Sequence, residues 1–154
     1  MLRLIIHRIT AFVLAFTALF ISSCSFFGSG GDPLEVLRAE VISIVHDEAR
    51  AEAMVADVDK LDQLLQESAE LLGEVARRER ALFADYDSTP QDFETLFLER
   101  LRKRRALQEA MLDVHLEFKD KATAEEWEAI LPIHANAIAA RVNSLVNAAI
   151  DERG

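Results

Sequence analysis

Cys24 is the one thiol in the chain, and it lies at the end of an apolar run. A single thiol can accept an acyl or alkyl group, but alone it makes neither a disulfide nor a Cys-based zinc site. After it come His46, His115 and His134. Di-metal carboxylate bundles use Glu-x-x-His on facing helices, whereas the residues three before these histidines are Ser43, Leu112 and Leu131. No His-x-x-x-His pair occurs either. His115 and His134 flank a turn at 121–124 and are the metal candidates that spacing offers, with Asp113 or Glu117 beside them. The competing reading makes each a single polar histidine on a helix face or in a core. Ser43, Ser68, Ser88 and Ser144 lack a Gly-x-Ser-x-Gly context, and no Gly-rich phosphate loop is present. Acid pairs are so frequent that none stands out as the two carboxylates of a glycosidase. These patterns predict a protein that is not an enzyme and carries no cofactor.

The thiol takes its meaning from what precedes it. Arg3 and Arg8 are the only full charges before Asp32, and Ile9 to Ile21 is almost wholly apolar. A short basic end, about a dozen apolar residues and then small residues match a secretory signal. Ile21-Ser22-Ser23-Cys24 resembles the lipobox of bacterial lipoproteins. The resemblance implies a diacylglycerol on the Cys24 sulfur, cleavage after Ser23 and acylation of the new Cys24 amine. Two or more acyl chains, at roughly 0.8 kcal/mol per buried CH₂, anchor stably. Ser25 rather than Asp follows the cysteine, a pattern that in Gram-negative lipoproteins implies sorting to the outer membrane, with the inner membrane as the alternative. Two other readings compete: a plain cleavage site beside an ordinary cysteine, and an uncleaved membrane helix. The second needs ~20 apolar residues, and the apolar run stops at Ile21.

Residues 1–23 therefore read as a signal peptide and 24–32 as a lipidated cysteine with a tether. Ser25-Phe26-Phe27-Gly28-Ser29-Gly30-Gly31 has coil-like Gly/Ser composition. Residues 33–154 read as a helical domain. Removing the signal takes away two arginines and no acid, so the formal charge goes from -10 to -12. So acidic a chain is a poor nucleic-acid binder, because phosphate neutralisation needs clustered Lys and Arg.

Few glycines and prolines, with abundant Ala, Leu, Glu and Arg, predict an all-α fold. Asp32 fits an N-cap and Pro33 a first helical position. Taking Leu34 as heptad position a, the a series is Leu34, Val41, Glu48, Val55, Asp62, Ala69, Ala76, Phe83. The d series is Leu37, Ile44, Ala51, Val58, Leu65, Leu72, Glu79, Tyr86. This sustained seam predicts one long helix over about 34–85, ~78 Å at ~1.5 Å per residue. It would bend at Gly73, and a break near Asp57–Asp62 is the alternative. Thr89-Pro90 starts a second helix to about 121, with Phe93, Phe97, Leu101, Leu107 or Gln108, Met111, Val114 and Phe118 inward. Thr123-Ala124-Glu125-Glu126 is a capping box opening a third, about 124–151. Its apolar series is Trp127, Ile130, Leu131, His134, Ile138, Val142, Leu145, Val146 and Ala149, with Pro132 expected to kink it.

The three helices form an elongated antiparallel coiled-coil bundle in this reading. Arg100-Leu101-Arg102-Lys103-Arg104-Arg105 would lie opposite about 70–75, near Glu67, Glu70 and Glu74, while Glu94 and Glu99 face Arg77, Arg78 and Arg80. Such pairs set register more than they stabilise. A lipid-headgroup or anion patch is the other reading of the basic run. The shorter helices would leave the stripe Leu34, Leu37, Val41 and Ile44 uncovered and open to a second copy of the chain. If the first helix breaks, that stripe packs into a four-helix bundle instead.

The two later helix starts, Thr89-Pro90-Gln91-Asp92 and Thr123-Ala124-Glu125-Glu126, each precede an aromatic, Phe93 or Trp127. They are similar to the repeated Leu-Thr-x-x-Gln motifs of the Spy/CpxP group of periplasmic helical proteins, with Ser88 and Ala122 in the Leu place and Asp92 and Glu126 in the Gln place. That resemblance covers about residues 88–127 and implies a stress-associated chaperone, a sensor-modulating protein or a metal-responsive one. The residues themselves favour a membrane-anchored, periplasm-facing scaffold, adaptor or accessory subunit of an envelope assembly, held to the membrane by lipid and to other proteins by its helices.

Overall fold

The computed structural model describes residues 32–151, and these are all-α, with no strand among them. Four helices follow in order: α1 (Pro33–Ile44), α2 (Glu48–Ala84), α3 (Pro90–Lys121) and α4 (Ala124–Asp151). The three predicted helix starts hold closely. The Asp32 carboxylate accepts from the Leu34 N–H at 3.1 Å, with Pro33 behind it in the first turn. The Asp92 carboxylate accepts from both the N–H and the hydroxyl of Thr89. Thr123 and Glu126 close a reciprocal box, Thr123 N–H to Glu126 at 2.8 Å and Glu126 N–H to the Thr123 hydroxyl at 3.2 Å. These bonds satisfy backbone donors that a helix start leaves without partners. α4 continues through Pro132, which has no N–H to offer the preceding turn.

The single long helix does not form. The chain breaks at Val45-His46-Asp47, neither at Asp57–Asp62 nor at Gly73, and α2 runs unbroken through both of those places. Val45 is extended, with φ -87° and ψ 103°, and its side chain is buried. Asp47 is the new N-cap, accepting from the Arg50 N–H at 2.8 Å. No glycine or proline marks the place. The cause is tertiary: folding α1 back lets Leu34, Leu37 and Val41 bury completely. Burying such a side chain is worth ~1.5–3 kcal/mol each, against the few hydrogen bonds a helix loses at a well-capped break.

Ion pairs give the directions. Arg38 to Asp59 at 2.8 Å sets α1 antiparallel to α2. Arg50 to Glu126 at 2.7 Å and Arg141 to Asp62 at 2.7 Å set α4 parallel to α2. Arg78 to Glu99 at 2.8 Å and Lys103 to Glu74 at 3.7 Å set α3 antiparallel, in the register the charge pattern predicted. α1 packs on α4 and on α2, and α3 packs chiefly on α2. The core draws on every element: Leu34, Leu37 and Val41 from α1, Ala51, Met54 and Val58 from α2, Phe118 from α3, Ile130 and Ala137 from α4, and Val45 from the link.

The bundle is stepped. α1, with 12 residues, flanks only the first part of α2, which has 37. Beyond the level of α1 and then of α4, α2 and α3 continue as a two-helix hairpin. Seam positions Leu72, Phe83 and Tyr86 are exposed there rather than buried, as are Leu101 on α3 and Leu131, Val142 and Val146 on α4. Leu96, absent from the predicted inward series, is buried instead. The heptad continues past the point where there is a neighbour to receive it.

Stability should follow this taper. Met54→Ala is expected to cost ~2–5 kcal/mol, as for other fully buried Met or Leu truncations, while Leu72→Ala should change stability by under ~1 kcal/mol. Urea unfolding of the two variants checks both.

Candidate functional site

Cys24 and Ser23 lie outside the described residues, as does the whole lipobox. No helix among the described residues is long and apolar enough to cross a membrane. The Leu34, Leu37, Val41 stripe, expected to be open to a second copy, is buried inside the chain's own bundle, with Ile44 packed against it. The break at Val45–Asp47 turns this stripe from an edge into a core.

His115 on α3 and His134 on α4 do come together, with ring centroids 5.0 Å apart. Phe118 stands 5.2 Å from His134, and Trp127 stands 5.7 Å from His115. Aromatic rings therefore fill the space between α3 and α4 beside their turn. His134 is buried, and desolvation, with His115 a lesser cause, pushes its pKa down to about 4. Asp113 and Glu117 do not complete a coordination set, and among the described residues no three His, Cys, Asp or Glu side chains are gathered to hold a metal. The neutral, apolar setting suits a packing histidine.

A polar clamp lies beside this cluster. Arg50 on α2 forks onto Glu126 with bonds of 2.7 and 3.0 Å, and also donates to the Lys121 carbonyl at 2.9 Å. The fork, with the Thr123 N–H next in effect, lowers the Glu126 pKa to about 2. The Asp57 carboxylate is almost wholly buried and receives the ammonium groups of Lys121, from the end of α3, and of Lys60, one turn along α2 at 3.2 Å. Nothing local to Asp57 in the sequence marks this pairing, because Lys121 is 64 positions away.

Two hollows lie on the surface. The first is a groove of about 1160 Å³ on the α2 face carrying Ala69, Gly73 and Ala76, walled by Ala106 and Leu107 of α3 and Leu145 of α4. Small side chains make its floor, and Glu70, Arg77 and Arg80 line it without an ion pair to any described residue. The second is at the tip of the α2–α3 hairpin. Phe83 is 72% exposed and Tyr86 100%, and Phe93 meets Phe83 at 4.9 Å between centroids. Phe97 and Leu98 line this hollow of about 690 Å³ with Ser88, whose buried hydroxyl has no hydrogen-bond partner among the described residues. The sequence signal for the tip was present, as two aromatics in seam positions next to a turn, but periodicity alone reads them as core.

The pH response separates these parts. His134, with its pKa depressed from ~6.5, contributes stability above that value and loses it as pH falls toward 4. Glu126, depressed from ~4.3, contributes above that value and loses it as pH falls toward 2. Urea midpoints should therefore decline from pH 7 to 5 in the wild type and stay flatter in His134→Phe. A decline of equal size in the variant would place its origin elsewhere.

Comparison of the chain with protein-family models, with curated proteins and with solved structures gives no match.

Proposed function

We propose that this chain is a lipid-anchored envelope protein that acts as a non-catalytic adaptor or accessory subunit on the periplasmic side of the outer membrane. The observation that carries the reading is the sequence Ile21-Ser22-Ser23-Cys24 at the end of a basic-then-apolar leader, with Ser25 next. Two acyl chains suffice for stable anchoring. The helical part supports the adaptor role by what it exposes. Its hairpin tip carries Phe83, Tyr86, Phe97 and Leu98 in contact with solvent, ~35 Å along α2 from Asp59. Exposed aromatics of this kind are the residues that anchor protein interfaces.

Cells fed labelled palmitate should incorporate it into the wild-type chain and not into Cys24→Ser. Incorporation persisting in that variant would remove the anchor from the proposal.

A second reading has its own support in the groove over Ala69, Gly73 and Ala76. A groove with a small-residue, apolar floor and, among the described residues, no ion partner for Glu70, Arg77 or Arg80 suits transient capture of unfolded segments, the role implied by the Spy/CpxP resemblance. The chain should then suppress aggregation of a reduced, unfolding client at near-stoichiometric amounts, and filling the floor with Gly73→Leu should abolish that effect. An absence of suppression leaves the adaptor alone.

A further inference from the structure

We infer that the outer face of α3 is a self-recognition surface, on which a second copy of the chain docks antiparallel about a two-fold axis crossing α3 near Leu107. Leu98, Leu101, Leu112 and Leu116 are 46, 58, 56 and 45% exposed, although α3 belongs to the bundle. At 100° per residue the four fall on one side of α3, together with Arg105 and Glu109. This is an apolar stripe ~27 Å long that neither α2 nor α4 covers. Its order reads nearly the same from both ends. Leu98 and Leu116 are each nine residues from the centre, Leu101 and Leu112 six and five, and Arg105 and Glu109 two.

Antiparallel docking therefore sets Leu98 against the second copy's Leu116, Leu101 against its Leu112, and Arg105 against its Glu109. Arg102 and Asp113, further out on the same face, follow the same rule. The charge order selects this occupant. The first half of the face is basic through Arg102 and Arg105, and the second acidic through Glu109 and Asp113. A parallel copy would set Arg105 against Arg105, and an anionic lipid surface would meet the acidic half unfavourably. Arg105 and Glu109 already bond each other at 2.8 Å within α3 and are well exposed, so docking needs only an exchange of partners. Two convex helices also pair without a groove to fill, ridges into grooves, as in antiparallel bundles. A single helix pair lies at the small end of stable interfaces, ~1,200 Å², so the test must reach high protein concentration.

The test is sedimentation equilibrium of the full chain in mild detergent up to ~500 µM, on wild type, R105E, E109R, their equimolar mixture and the double variant R105E/E109R. All substitutions are on exposed positions, and circular dichroism confirms that the helices are retained. The wild type should dimerise. Each single variant, now facing like charge with like, should associate at least ~tenfold more weakly. The mixture and the double variant should both regain the dimer, because each restores opposite charges across the axis. A wild type that stays monomeric throughout overturns the proposal. So does a dimer indifferent to R105E and E109R, the result expected for association through the N-terminal segment. Loss without recovery in both the mixture and the double variant overturns it as well.

Discussion

One buried charge organises the bundle. Asp57 lies on the core face of α2 between Met54 and Leu61, where an isolated carboxylate would be heavily penalised. Lys121 answers it from the last turn of α3, Lys60 supports it, and Arg50 grips the same turn through the Lys121 carbonyl and Glu126. Removing one partner of a buried pair costs more than the pair contributes, commonly ~3–5 kcal/mol. The α3–α4 turn is thus held at one height on α2. Sliding α3 by a turn would strand Asp57, and with it Phe118, Ile130 and His134 would leave their places in the core. The apolar contacts stabilise the fold, while this polar group restricts it to one register.

The limits of reading the chain in one dimension follow from the same point. Helix ends at Pro33, Pro90, Lys121 and Ala124 were legible because capping is local: Asp32, Thr89 and Thr123 act within three residues. The α2–α3 register was legible because Glu74, Arg78, Glu99 and Lys103 sit symmetrically about a marked turn. The break at Val45–Asp47 was not. Ile44 and Ala51 are seven residues apart, so the heptad keeps phase across it and no punctuating residue interrupts. The contacts of α1 with α2 and with α4, the latter about a hundred positions away, make the break favourable. Of the site residues, the approach of His115 and His134 was legible from their places beside one turn, and their burial among Phe118 and Trp127 was not. The exposed hairpin tip was misread for a related reason, since periodicity reports a face without reporting whether anything lies against it.

Charge has different tasks along the molecule. Near the α3–α4 turn it is buried or forked and fixes geometry. Midway, the Glu74, Arg78, Glu99, Lys103 network is half-exposed, and pairs of that kind contribute ~0–1 kcal/mol. On the groove rim Glu70, Arg77 and Arg80 have no described partner. The surplus of acid over base is carried by the remaining surface, where exposed charge favours solubility.

The stepped helix count separates two quantities that most small domains tie together. Four helices share the core around Met54 and Phe118, whereas Val75 and Leu96 are nearly all that the distal hairpin buries. The end that makes the fold cooperative is therefore not the end that displays Phe83 and Tyr86. Substitutions at the display end draw little on the free energy of folding, so its surface can drift in sequence while the scaffold stays folded. What the hairpin tip presents to solvent can thus be altered one exposed aromatic at a time, leaving untouched the contacts that hold the other end together.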